Sequence, residues 1–147
     1  MKYPEDLNQQ VIDWIQREMD LYRGLVGLAS LEKKAITAEY FEGLAKIADD
    51  KKRHILKIEE LEVQFSPLRK KWKDWSGRDT RSVRHWVDLL TGLARELASQ
   101  QRENQELLEN LLGETNTRIN KLKSSGHASN RYKSQRKYQP RFVDIKG

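Results

Sequence analysis

An all-α fold, an elongated antiparallel three-helix bundle of coiled-coil type, is what this sequence predicts. Three observations carry it. Apolar residues recur at alternating three- and four-residue steps over three long stretches, a single strong breaker separates the last two, and from residue 124 onward the pattern gives way to a polar, basic tail. The chain is expected to hold one helical domain, residues 1–123, and a flexible tail, residues 124–147, too poor in apolar groups to offset its ordering entropy.

Pro4 followed by Glu5 and Asp6 suits a helix start. Proline is tolerated in a first turn, and carboxylates favour the positive end of the helix dipole. The seam then reads Leu7, Val11, Trp14, Glu18, Leu21, Leu25, Leu28, Glu32, Ala35 and weakens between Ala35 and Glu39. A tight reversal is expected there, with the Thr37 hydroxyl capping the next helix.

The second seam runs Phe41, Leu44, Ala48, Lys51, Ile55, Ile58, Glu62, Phe65, Arg69, Trp72. Tyr40, Ile47, Leu61 and Leu68 widen it, which implies contact with two neighbouring helices. Ser66-Pro67 removes a backbone donor in mid-helix, so the helix should kink there or restart with Ser66 as cap. Ser76-Gly77-Arg78-Asp79-Thr80 is the clearest breaker, with Asp79 or Thr80 capping the third helix. That helix carries Trp86, Leu90, Leu93, Leu97, Gln100, Asn104, Leu107, Leu108, Leu111, Leu112, Ile119 and Leu122, and should stop near Lys123 before Ser124-Ser125-Gly126.

Composition narrows the function classes. Charged residues make up 34% of the 147, and aliphatic plus aromatic types 37%, which suits long exposed helices better than an enzyme built round a deep pocket. Cysteine is absent, which removes disulfides, thiolate metal sites and a cysteine nucleophile. His54, His85 and His127 have no metal-ligand spacing, and no phosphate loop, nucleophile elbow or zinc-protease motif occurs. A non-enzymatic protein without cofactor or metal is expected. The N-terminal residues lack the apolar stretch of a secretion signal, so cytoplasmic residence without stable membrane insertion is expected.

Charge is unevenly spread. The tail holds Arg131, Lys133, Arg136, Lys137, Arg141 and Lys146 against Asp144, a balance of 6 − 1 = +5 out of a total of +6. The body is therefore +1. Within it, Arg69-Lys70-Lys71-Trp72-Lys73-Asp74-Trp75, then Arg78, Arg81, Arg84 and Trp86, interleave cations and aromatics as nucleic-acid or membrane-surface contacts do. The seam positions of Trp72 and Trp86 favour packing with Trp14 as an aromatic plug, the cations staying outside as solvated charge. A nucleic-acid-binding bundle is the alternative, but an up-down-up arrangement puts this cluster and the tail at opposite ends of the rod. A structural coiled-coil adaptor is another, which leaves the tail without a task.

Two features suggest binding. Asn104, with Gln100 a layer earlier, puts amides on a core seam, as a register-setting polar layer or as a polar contact to a bound peptide. Leu107, Leu108, Leu111 and Leu112 form two adjacent rows, wider than two helices cover, and so a candidate docking strip for an amphipathic helix. With Ile58, Leu61 and Phe65 of helix two and Asn104, they make the expected partner-binding face.

The chain resembles the flagellar export chaperones of the FlgN type. The similarity lies in Leu44, Lys51-Lys52, Ile55-Leu56 and Leu61-Glu62, in Asn104-Gln105-Glu106-Leu107-Leu108, and in a tail with Tyr132 and the short end Arg141-Phe142-Val143-Asp144-Ile145-Lys146-Gly147. The Trp-rich basic turn is not a feature that family requires. The resemblance implies a cytoplasmic chaperone that holds the C-terminal segments of hook-filament junction proteins unassembled and delivers them to the export gate or its ATPase complex. It implies no nucleic-acid partner. Tyr132, or Tyr138 further on, is the implied gate anchor, and a monomer or weak homodimer is expected.

Overall fold

In a computed structural model describing residues 4–75 and 77–124, with side chains from residue 7, three helices follow one another: α1 Pro4–Thr37, α2 Phe41–Asp74 and α3 Thr80–Lys123. The chain reverses twice, so α1 and α3 run parallel and α2 antiparallel to both. The tail beyond Ser124, with the expected gate anchors Tyr132 and Tyr138, lies outside the described residues.

The core belongs to α1. Val11, Ile15, Met19, Tyr22, Leu25 and Ala29 are buried along it, joined by Ile58 of α2 and by Val83, Leu90, Ala94 and Leu97 of α3. Both α2 and α3 pack on α1, while the α2 and α3 backbones do not meet among the described residues. The expectation that the apolar face of helix two packs on two neighbours is thus corrected: α2 packs on α1 and reaches α3 through the Lys51 side chain. It is α1 that packs on two, because Ile15, Met19 and Tyr22 add a second apolar row beside Val11, Glu18 and Leu25. Leu56 and Val63 of α2 remain exposed on its outer side.

The first reversal uses three residues and backbone hydrogen bonds from Tyr40 N to Ala35 O at 2.8 Å and Glu39 N to Ile36 O at 3.0 Å. Glu39 takes φ 56°, the left-handed conformation that ends many helices. Thr37 does not cap α2. It is the last residue of α1, and its hydroxyl donates back to Lys33 O at 2.8 Å. Tyr40 occupies the cap position with no side-chain bond. Ser66 caps nothing either, since α2 runs through Pro67 as one helix. At α3 the expected cap holds: Asp79 Oδ1 accepts from Ser82 N at 3.0 Å.

Asn8 closes the far end. Its Oδ1 accepts from the Trp72 indole N–H at 2.7 Å and from Asp79 N at 2.9 Å, so one oxygen ties the start of α1 to the end of α2 and the start of α3. Trp14, Trp72 and Trp86 all pack partly buried against the core, and Trp14 stacks on Phe65 with centroids 6.0 Å apart. Arg17 and Arg78 lie over the Phe65 and Trp72 rings.

Beside that stack, Glu18 is 1% exposed and accepts from Trp14 Nε1 at 3.1 Å. Burial first, then the charge of Glu62, raises its carboxyl to about 7, against the lowering effects of the Trp14 bond and Arg69. The folded pKa lies above the unfolded one. The folded chain therefore holds the extra proton between roughly pH 4.5 and 7, and stability falls as pH rises through that window.

Two outcomes follow. Urea titrations should show stability decreasing from pH 5 to 7.5 by a few kcal/mol, at about 1.4 kcal/mol per pKa unit, and Glu18→Gln should flatten that slope. Leu97→Ala, at a fully buried position between α3 and α1, should cost about 2–5 kcal/mol by the same method, while Val63→Ala should stay within about 0.5 kcal/mol.

Candidate functional site

Where α2 and α3 stand apart, long polar side chains cross the gap. Lys51 Nζ donates to Glu32 Oε2 at 3.1 Å and Oε1 at 3.3 Å, and to Gln101 Oε1 at 2.8 Å. Asn104 Nδ2 donates to Glu32 Oε1 and to the Ala29 carbonyl, both at 2.8 Å. Every helix contributes to this layer. Burial lowers the Lys51 ammonium below its ordinary pKa, and the charge and hydrogen bond of Glu32 pull it back up. At the rim, Lys33 Nζ meets Glu103 Oε1 at 2.6 Å across α1 and α3.

The polar layer expected from Asn104 is present, but its glutamine is Gln101. Gln100 was expected because it continues the three-four spacing. The seam of α3 keeps Leu90, Leu97 and Asn104 but takes Ala94 and Gln101 in place of Leu93 and Gln100, and all five of these seam residues are buried. Glu32 and Lys51, which both interrupt apolar seams, were the sequence signal for the pair. Asn8 gave no such signal, since a polar residue in a first turn is ordinary. Among the described residues, Gln100 Oε1 and Gln101 Nε2 are buried without a hydrogen-bond partner. Such groups are costly to leave unmade.

Beyond this layer the helices end at different heights. Asn104 lies level with Ala29, so Thr37 at the end of α1 lies level with about residue 112, and α3 outruns its neighbour by roughly 11 residues or ~16 Å. Leu107, Leu108, Leu111 and Leu112 sit level with the last turns of α1, just before that limit, and are all half-buried, with Ile119 half-buried and Leu122 exposed beyond it.

The other residues expected on the docking face are placed differently. Ile58, 1% exposed, and Leu61, 9% exposed, are core positions turned to α1, and Phe65 is engaged by Trp14. Asn104, 3% exposed, is committed to the polar layer. The expectation of one apolar strip shared by helices two and three is corrected accordingly: α2 spends its apolar face on α1. What remains accessible is the leucine face of α3. The described residues contain no group of acidic or histidine side chains able to hold a metal ion, and no helix long and apolar enough to cross a membrane.

The family model described as FlgN protein matches residues 1–140, which spans all three helices and enters the tail. The chain belongs to the FlgN family. FlgN proteins act as flagellar export chaperones and interact with flagellar proteins, and the family is a chaperone family rather than an enzyme family. Neither a curated protein nor a solved structure matches the chain. In this FlgN chain the match covers the polar layer and the leucine face alike.

The polar layer should behave as one unit. Lys51→Met leaves Glu32 buried without its counter-charge and should cost about 3–5 kcal/mol, whereas Glu32→Leu with Lys51→Met should recover much of that loss. A double-mutant cycle by urea denaturation reads the coupling.

Proposed function

We propose that this FlgN-family chain binds the C-terminal amphipathic segments of hook-filament junction proteins in the cytoplasm, keeps them from assembling early and delivers them to the export gate. The observation that carries the reading is the leucine face of α3, where Leu107, Leu108, Leu111 and Leu112 lie level with the last turns of α1 with only part of their surface covered, and α3 continues past them beyond the end of α1. An amphipathic helix laid along α3 in the place α1 vacates continues the packing that α1 provides lower down. A partner that is disordered alone and ordered on binding spends part of its interaction energy on ordering, which keeps the complex releasable.

Delivery is assigned to the tail. Tyr132 anchors the chaperone to the export gate, with Tyr138 as the alternative anchor six residues on. An aromatic in a solvated basic segment supplies a specific contact without needing a core.

Leu108→Glu puts a carboxylate into the apolar contact and should weaken client binding by several kcal/mol in calorimetry, with helix content unchanged because the residue is only half-buried. A folded Leu108→Glu protein with unaltered client affinity would remove this face. Tyr132→Ala should keep client affinity and reduce gate binding and client secretion, with Tyr138→Ala as the matched comparison. Loss with Tyr138→Ala alone would move the anchor to the later tyrosine.

A further inference from the structure

The end of the bundle opposite the leucine face carries a charge excess that neither the core nor the proposed client contact uses. Residues 69–84 hold seven cations against Asp74 and Asp79, a balance of 7 − 2 = +5. Since the body as a whole is +1, the rest of it is 1 − 5 = −4. The positive charge of the body is therefore concentrated at this end while the flanks between its two ends are negative, and the tail's +5 follows Lys123 at the other end.

Helix stability explains only part of this. Lys71 and Lys73 lie in the last turn of α2, where cations complement the helix dipole. Arg81 in the first turn of α3 and Arg84 in the next face the positive end of theirs, and that first turn has no acidic residue. Asp79 offsets this in part through its bond to Ser82 N. Lys70, Lys71, Lys73, Arg81 and Arg84 are exposed, and none joins an ion pair among the described residues. Cations held at an unfavourable helix end, without counter-ions from the protein, are arranged for an external anion.

The composition of the tip decides which one. It is made of the end of α2, the turn and the starts of α3 and α1, with exposed cations on the α2 and α3 parts. Trp72 and Trp86 are packed against the core, and the Trp72 ring lies under Arg78, which leaves neither as a free stacking platform for a base. Trp75 stays at the tip, half-buried, its ring lying so close over Gly77 that a Cβ there would overlap it. An amphipathic aromatic among exposed cations matches an anionic lipid surface. We propose that this basic tip, residues 69–84, is a peripheral docking surface for an anionic lipid bilayer, met end-on. The negative flanks of the body are repelled by the same surface, which disfavours a side-on approach. By helix rise, Leu108 then stands roughly 40 Å from the lipid, free to hold a partner.

Co-sedimentation of the full-length protein with vesicles tests this, using phosphatidylcholine alone and phosphatidylcholine mixed with phosphatidylglycerol. The expected result is binding to the anionic vesicles only, weakened by salt. The variant K70Q/K71Q/K73Q/R81Q/R84Q should lose at least ten-fold in affinity, from about five-fold per cation held near such a surface. R131Q/K133Q/R136Q/K137Q, which neutralises tail cations, should keep more of the affinity than the tip variant does. Circular dichroism should show both variants helical; should the five-site variant misfold, K70Q/K71Q/K73Q alone should show a smaller drop of the same kind. The proposal is overturned if the wild type ignores anionic vesicles, if only the tail variant loses binding, or if poly-glutamate or duplex DNA displaces the protein from vesicles at equal charge concentration. Leu108→Glu, expected to fail with clients, should bind vesicles normally, so the two readings fail separately.

Discussion

Everything in this bundle hangs on α1. Val11, Ile15, Met19, Tyr22, Leu25 and Ala29 give it a buried face wide enough for two partners, and α2 and α3 both take their apolar contacts from it. A three-helix bundle in which each helix met both others would bury the space between α2 and α3 with leucines. Here that space is crossed by Lys51 and Gln101, whose length suits two backbones that do not meet. The Glu32–Lys51 pair adds little net stability as a buried ion pair, given the desolvation it costs. Its effect is to hold α2 and α3 at one height relative to α1.

That height sets where the molecule is closed and where it is open. At the Asn8 end all three helices are tied within one residue's reach, and the tryptophans fill the space. At the other end α1 stops at Thr37, α2 begins at Phe41, and α3 continues alone. The leucines of α3 level with the last turns of α1 stay half-covered there. For an export chaperone of the FlgN family this asymmetry would separate stability from the proposed binding: the closed end maintains the fold, and the proposed client face lies at the end where α3 projects. The proposed lipid-docking tip is at the closed end, separated from the leucine face by much of the length of α3.

The sequence by itself determined the three helices, their approximate ends and the antiparallel order. Those follow from local rules: seam spacing, the Asp79 cap, the breaker at Ser76–Thr80 and the loss of apolar pattern after Lys123 are visible without knowing any neighbour. It also showed that residue 104 carries a buried amide and that leucines double on α3. Only the tertiary structure decided which helix is shared. A wide apolar face looks the same whether it meets two helices or one, so Ile58, Leu61 and Phe65 read equally well as docking residues or as core, and the position of α1 made them core. Gln101 replaced Gln100 for a related reason: the two flank the line through Leu97 and Asn104, and the side on which neighbouring helices lie, not the spacing, decided that Ala94 and Gln101 are buried. Asn8 was illegible because its role comes from where Trp72 and Asp79 arrive in space. Local pattern fixes what each helix is, whereas which side of it meets a neighbour depends on the other two.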